Sequence, residues 1–166
     1  MAKPVYRLAA LLEVRERKKE EAERYLGECL MALKQEKDRL ADLEKELERM
    51  KADREARKRE YSEKMMRGEM SAQEAIGANQ FIERLKEKEE LKKDEIESQK
   101  KVVRQREQDV EGARQDVMKA TQELKTLEKH KEKLEDAWKK EQATKEEDML
   151  DELGQTIFRA RQDLEK

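Results

Sequence analysis

The sequence has little of what a compact enzyme is built from. It carries a single proline, five glycines, one tryptophan and 4% aromatic residues in 166 positions. Apolar residues make up only 35% of it, against 49% charged. So few apolar side chains cannot offset the entropy of ordering a globule of this size, which leaves a disordered polyampholyte or a long helical rod. One cysteine, Cys29, excludes an internal disulfide and fits a reducing compartment. With His130 as the one histidine, schemes that need a nucleophile–base pair or a set of metal ligands have too few members. The glycines are isolated, so no phosphate-cradling loop exists. The apolar stretch Leu8 to Leu12 is far too short to span a bilayer and lacks the small-residue cleavage site of a secretory signal. Charge of one sign is missing too: 40 basic and 42 acidic residues are interspersed along the chain. No basic stripe for binding phosphates results. These absences predict a non-enzymatic, cytoplasmic protein with no cofactor, no metal, no nucleic-acid partner and no membrane span.

What is present is a repeat. Apolar residues alternate in steps of three and four through Leu8, Leu12, Ala22, Leu26, Cys29, Leu33, Leu40, Leu43, Leu47, Met50 and Tyr61. Arg15, Lys19, Glu36, Arg54 and Arg57 interrupt the same frame. This is a heptad signal, and it favours the helical rod over disorder. Pro4 suits the first turn of a helix, where its missing N–H costs nothing.

The frame then meets a turn. Gly68 can take the left-handed conformation that ends a helix. Ser71-Ala72-Gln73-Glu74 reads as a capping box, with Met70 and Ala75 in the staple positions around it. A second frame follows through Ala75, Ala78, Ile82, Leu85, Ile96, Val103, Val110, Ala113, Val117, Ala120, Leu124, Leu127, Leu134 and Trp138. Its polar members are Glu89, Lys92, Gln99, Arg106 and Lys131. The expected fold is all-α: a long antiparallel two-helix coiled-coil hairpin, monomeric on its own, with its turn near residues 66–71. The first helix covers about 4–67, the turn 68–71 and the second helix about 72–140. A turn near residue 69 opposes residue i to roughly 139 − i, so that no layer sets two charged residues face to face. At 1.5 Å per residue the first helix is about 90–95 Å long.

Three apolar groups exceed what the seam needs. Tyr6, Leu8, Ala9, Leu11, Leu12 and Val14 open the first helix; they either form a contact surface or pack on Leu127 and Trp138. Met65, Met66, Met70, Ile76 and Phe81 gather at the turn, as an adaptable binding surface or as a plug closing the hairpin. Beyond residue 140 the frame fails at Glu141, Lys145 and Asp148, and a new stripe begins with Leu150, Leu153, Ile157, Ala160 and Leu164. This change of phase predicts a further amphipathic segment over about 145–165 with no facing helix in its own chain. It either folds back on the base of the hairpin or meets a partner.

The run Tyr6-Arg7-Leu8-x-x-Leu11-Leu12-x-x-Arg15-x-Arg17-Lys18-x-Glu20-x-Ala22-x-x-x-Leu26 resembles the opening signature of the FliJ/YscO family, the central-stalk proteins of flagellar and virulence type III secretion. His130-Lys131-Glu132, Asp136-Ala137-Trp138-Lys139 and the stretch Asp148 to Gln155 are similar to the virulence-type YscO branch. The resemblance implies a fold like the coiled coil of a rotary ATP synthase gamma subunit. It further implies a place in the cytoplasm, peripheral to the inner-membrane secretion apparatus. The paired chain ends would enter the pore of the hexameric secretion ATPase. The turn would point to the cytoplasmic ring of the export gate, and some members handle export chaperones. Carried over by position, Tyr6, Leu8, Leu11, Leu12, Arg15, Arg17 and Lys18 would face the ATPase, with Leu150, Leu153 and Ile157 beside them. Tyr61, Met65, Met66, Met70 and Phe81 would face the gate or a chaperone. The flagellar branch is richer in aromatic residues near the turn than this chain. Two rival readings are a coiled-coil scaffold that dimerises through its heptads and a holdase-type chaperone.

Overall fold

A computed structural model describes residues 2–165. Two helices account for almost all of them: α1, Ala9–Met66, and α2, Ala72–Leu164. They pack as an antiparallel hairpin. Contacts divide the chain into two compact units, one formed by Met1–Ala22 with Asp116–Lys166 and the other by Glu23–Gln115.

In the unit Glu23–Gln115 the seam follows the heptad frame. Cys29, Val110 and Ala113 form one buried cluster with Leu26 and Leu33 against it, and Leu43, Leu47 and Ile96 form another with Leu40. Cys29 with Val110, and Leu43 with Ile96, are pairs whose numbers add to 139, as the sequence frame expects. No buried side-chain polar atom among the described residues lacks a partner, and the two buried polar residues of the seam, Gln99 and Glu89, each have one. Buried Gln99 donates to the Glu36 carboxylate at 2.6 Å and to its carbonyl at 3.1 Å. Buried Glu89 accepts from Arg54 Nε at 2.8 Å. Lys92 lies between Glu46 at 3.2 Å and Glu95 at 3.0 Å. Its hydrogen bonds to Glu95 and Glu46 hold its ammonium pKa above the ordinary lysine value. The hydrogen bond that Arg54 donates to Glu89 likewise raises the pKa of its guanidinium.

The turn is built from local chemistry alone. Gly68 has φ 69°, the one positive φ among the described residues. Its N–H donates to Met65 O at 3.2 Å, and the N–H of Glu69 donates to Lys64 O at 3.0 Å. These two bonds are the Schellman closure of a helix C-terminus. Three residues on, Glu74 N–H donates to Ser71 Oγ at 3.2 Å while Ser71 N–H donates to the Glu74 carboxylate at 2.9 Å. This reciprocal pair is the capping box, and it satisfies donors that a helix start otherwise leaves free.

In the unit Met1–Ala22 with Asp116–Lys166, α1 begins at Ala9 and not near Pro4. The segment before it is drawn onto α2 by side-chain contacts, and its last turn is closed by Ala9 N–H donating to Tyr6 O at 3.0 Å. Arg15 bonds Glu123, Ala120 and Leu124 are buried, and Leu12 and Leu127 are half-buried. Helix α2 continues unbroken through the change of phase at 141–148, so residues 145–164 belong to it. Gln142 is its last half-buried residue; 143–165 are exposed throughout and do not fold back on the base.

Candidate interaction surfaces

Among the described residues no group of three or more His, Cys, Asp and Glu side chains could hold a metal ion. No helix among them is long and apolar enough to cross a membrane. The candidate sites are surfaces for contact.

The first lies in the unit that holds the chain ends. Residues 3–8 cross α2 over positions 130–141 and enclose a cleft of about 760 Å³. Its apolar wall is Pro4, Val5, Tyr6, Leu8, Leu134, Ala137 and Trp138. Tyr6 is fixed there: its hydroxyl is 2.9 Å from His130 Nδ1 and donates to Leu127 O at 3.5 Å, and the two rings lie 5.8 Å apart. Lys3 bridges to Glu135 at 2.9 Å, and that hydrogen bond holds the Glu135 carboxyl below its usual pKa. Leu8 and Leu11 remain 37% and 38% exposed, so each offers part of an apolar side chain to a partner. Arg17 and Lys18 are exposed, whereas Arg15 is committed to Glu123.

The C-terminal stripe is the second surface. Leu150, Leu153 and Ile157 are 71%, 61% and 48% exposed, with Met149 and Phe158 beside them. The cleft's α2 wall ends at Glu141, and Leu150 is nine residues further on, about 14 Å along the helix. The structure therefore does not bring Leu150, Leu153 and Ile157 against Tyr6 and Leu8. The stripe continues from the cleft along α2.

The third surface is at the turn, in the other unit. Met65 and Met66 are exposed, and Met70 and Tyr61 are half-buried. Half-buried Phe81 is near two guanidinium groups, with Arg57 and Arg84 each 5.9 Å from its ring centroid. Both cations are within cation–π range of the ring, so Phe81 is partly engaged within the chain. Met65, Met66 and Ile76 are the open apolar positions there.

Sequence reasoning missed Lys3, His130, Leu134 and Glu135 as parts of the first surface. A heptad count cannot place a segment that precedes the helix. The one available signal was the cluster of Tyr6, Leu8, His130 and Trp138 at matching depths of the two frames.

The fold is an antiparallel helical hairpin, and exposed apolar residues lie both in its chain-end unit and near its turn. A family model of YscO-like proteins matches residues 3–163, and the chain belongs to that family, a type III secretion-related one. A search of the curated proteins finds no match. Among solved structures the chain is similar to CT670 of Chlamydia trachomatis, described as a candidate YscO homolog, at 22% identity and a TM-score of 0.80. The match covers 97% of this chain and 99% of that one, and at this identity it is a likeness of fold.

Proposed function

We propose that the protein is a non-enzymatic central stalk of a type III secretion export apparatus. It links the hexameric secretion ATPase to the cytoplasmic ring of the export gate. The chain-end unit is the ATPase-facing part, through Tyr6, Leu8, Leu11, Leu12, Arg15, Arg17 and Lys18 on one side and Leu150, Leu153 and Ile157 on the other. The turn, through Tyr61, Met65, Met66, Met70 and Phe81, is the part that meets the gate or an export chaperone. Its place is the cytoplasm, at the inner-membrane apparatus.

The observation that carries this reading is the stripe on α2 beyond Gln142, which is fully formed as helix and has no covering within the chain. An exposed apolar stripe of that length on a highly charged protein marks a contact with another molecule. A two-helix hairpin set in a six-fold ring meets each subunit with different residues. It biases their nucleotide states to the extent that its contact free energy differs between them.

The test is direct binding of the purified ATPase to wild-type protein and to Leu150→Asp with Leu153→Asp. Burying two unpaired carboxylates costs several kcal/mol, and each 1.4 kcal/mol is about tenfold in affinity. The variant is expected to lose binding while keeping its helicity. Equal binding by both proteins refutes the assignment of this stripe to the ring.

A further inference from the structure

The stripe that the ATPase would cover is also complementary to itself. Leu150, Leu153, Ile157, Ala160 and Leu164 follow steps of three and four, which is the spacing of one coiled-coil seam. The charges beside it are not evenly mixed as in the rest of the chain. Residues 145–152 hold five acids, Glu146, Glu147, Asp148, Asp151 and Glu152, against Lys145 alone. Residues 153–162 hold Arg159 and Arg161 and no acid. A parallel pair would stack one acidic block on the other. An antiparallel pair about residue 155 sets each acidic block against the segment that holds the other chain's Arg159 and Arg161 together with Asp163 and Glu165. That segment carries no net charge, so the block-on-block repulsion is removed.

The seam allows a register that uses this. With two copies antiparallel about a two-fold axis beside residue 155, Leu150 opposes Ala160 and Leu153 opposes Ile157, which gives four apolar layers. In the same register Glu147 of each copy flanks Arg161 of the other, so the ion pair occurs twice. Nothing within either copy competes for these groups: all of residues 143–165 are exposed, and neither Glu147 nor Arg161 takes part in a described ion pair. The helix is already formed, so pairing orders side chains and not backbone.

We infer that the protein forms a weak, antiparallel homodimer through α2 residues 146–164, which covers its C-terminal stripe when no other partner does. Four layers make a small interface, in the range of transient contacts. The protein is therefore monomeric when dilute. Because one stripe cannot be covered twice, self-pairing and any other contact of the stripe exclude each other. This inference does not rest on the stalk reading, and it is tested on the chain alone.

The experiment is sedimentation equilibrium of the full chain from low to high micromolar concentration, with helicity checked by circular dichroism. Wild type is expected to pass from monomer to dimer mass. Leu153→Asp with Ile157→Asp should stay monomeric, and because both positions are exposed it should remain folded. Glu147→Arg alone and Arg161→Glu alone should each weaken the dimer, roughly two- to tenfold for two exposed ion pairs. The two together should restore it. A wild type that stays monomeric throughout overturns the inference. So does a dimer indifferent to Leu153→Asp with Ile157→Asp, or a double charge reversal that fails to restore what the single changes lose.

Discussion

Replacing Leu43 by alanine should cost more stability than removing the cap of the turn, and the structure sets the margin. Leu43 is 8% exposed and shares a cluster with Leu47, Ile96 and Leu40. Truncating a buried leucine to alanine removes its transfer free energy and leaves a cavity, together about 2–5 kcal/mol. A two-helix seam has solvent on both flanks and can partly collapse, so the lower part of that range applies, about 2–3 kcal/mol. Ser71 is exposed, and its Oγ accepts a single N–H, from Glu74. Ser71→Ala removes that bond but leaves the return bond from Ser71 N–H to the Glu74 carboxylate. N-cap losses are about 0.5–2 kcal/mol, and a half-retained box belongs in the lower half of that range. Both residues lie in the unit Glu23–Gln115, so both changes act on one packed body. At about 2–4 °C per kcal/mol for a chain of this size, Leu43→Ala should lower the melting temperature by about 4–12 °C and Ser71→Ala by about 1–4 °C. Thermal melts followed by circular dichroism at 222 nm decide it. A larger loss for Ser71→Ala would mean that the turn, and not the seam, holds this unit together.

Arg54 and Glu89 should behave as a pair. Arg54→Met strands the buried Glu89 carboxylate, and Glu89→Leu leaves the half-buried guanidinium with only its 2.9 Å contact to exposed Glu55. Each therefore lowers the melting temperature, the first more than the second; the double variant should recover most of the loss, because an apolar pair leaves no buried charge unpaired. Additive losses in the same melts would show that the two are not coupled. The carboxyl of Glu135, held low by its hydrogen bond to Lys3, should titrate nearer the ordinary glutamate value in Lys3→Ala, as followed by NMR. A depressed folded-state pKa contributes stability above the unfolded pKa and loses it as pH falls through the folded one. The difference in stability between wild type and Lys3→Ala should therefore fade on acidification below the usual carboxylate range, and a difference that grew there would contradict the assignment.

The seam was legible because a heptad repeat is periodic and the residues it selects are the ones the structure covers. Cys29, Leu43, Leu47, Ile96, Val110 and Ala113 are buried, and among frame members Leu8, Arg57, Arg106 and Leu134 are left exposed. Arginine can carry its charge out of a seam along a flexible stem, which is how Arg57 comes to lie against Phe81. The turn was legible because glycine and a capping box act locally. The polar partners were harder to read. Gln99, opposite Leu40 in the frame, reaches Glu36, and Arg54 reaches Glu89; both contacts lie one helical turn from the expected layer. Long side chains span a turn, and a frame of backbone positions does not resolve where their ends go. The cleft around Tyr6 was not legible in full, because its near wall is a non-helical segment and Lys3–Glu135 has no spacing rule behind it.

The stalk reading is tested most directly by ATP hydrolysis in the cognate hexameric secretion ATPase, measured without the chain, with wild type and with Leu11→Asp. Leu11 lies outside the seam and is 38% exposed, so the variant should keep its helicity and melting temperature. Its carboxylate would be carried into any apolar pocket of the ring at a cost of several kcal/mol. Wild type is predicted to raise the hydrolysis rate of the assembled hexamer and Leu11→Asp to leave it at the level of the ring alone. An assembled ring that hydrolyses ATP at one rate with and without the wild-type chain would contradict the account.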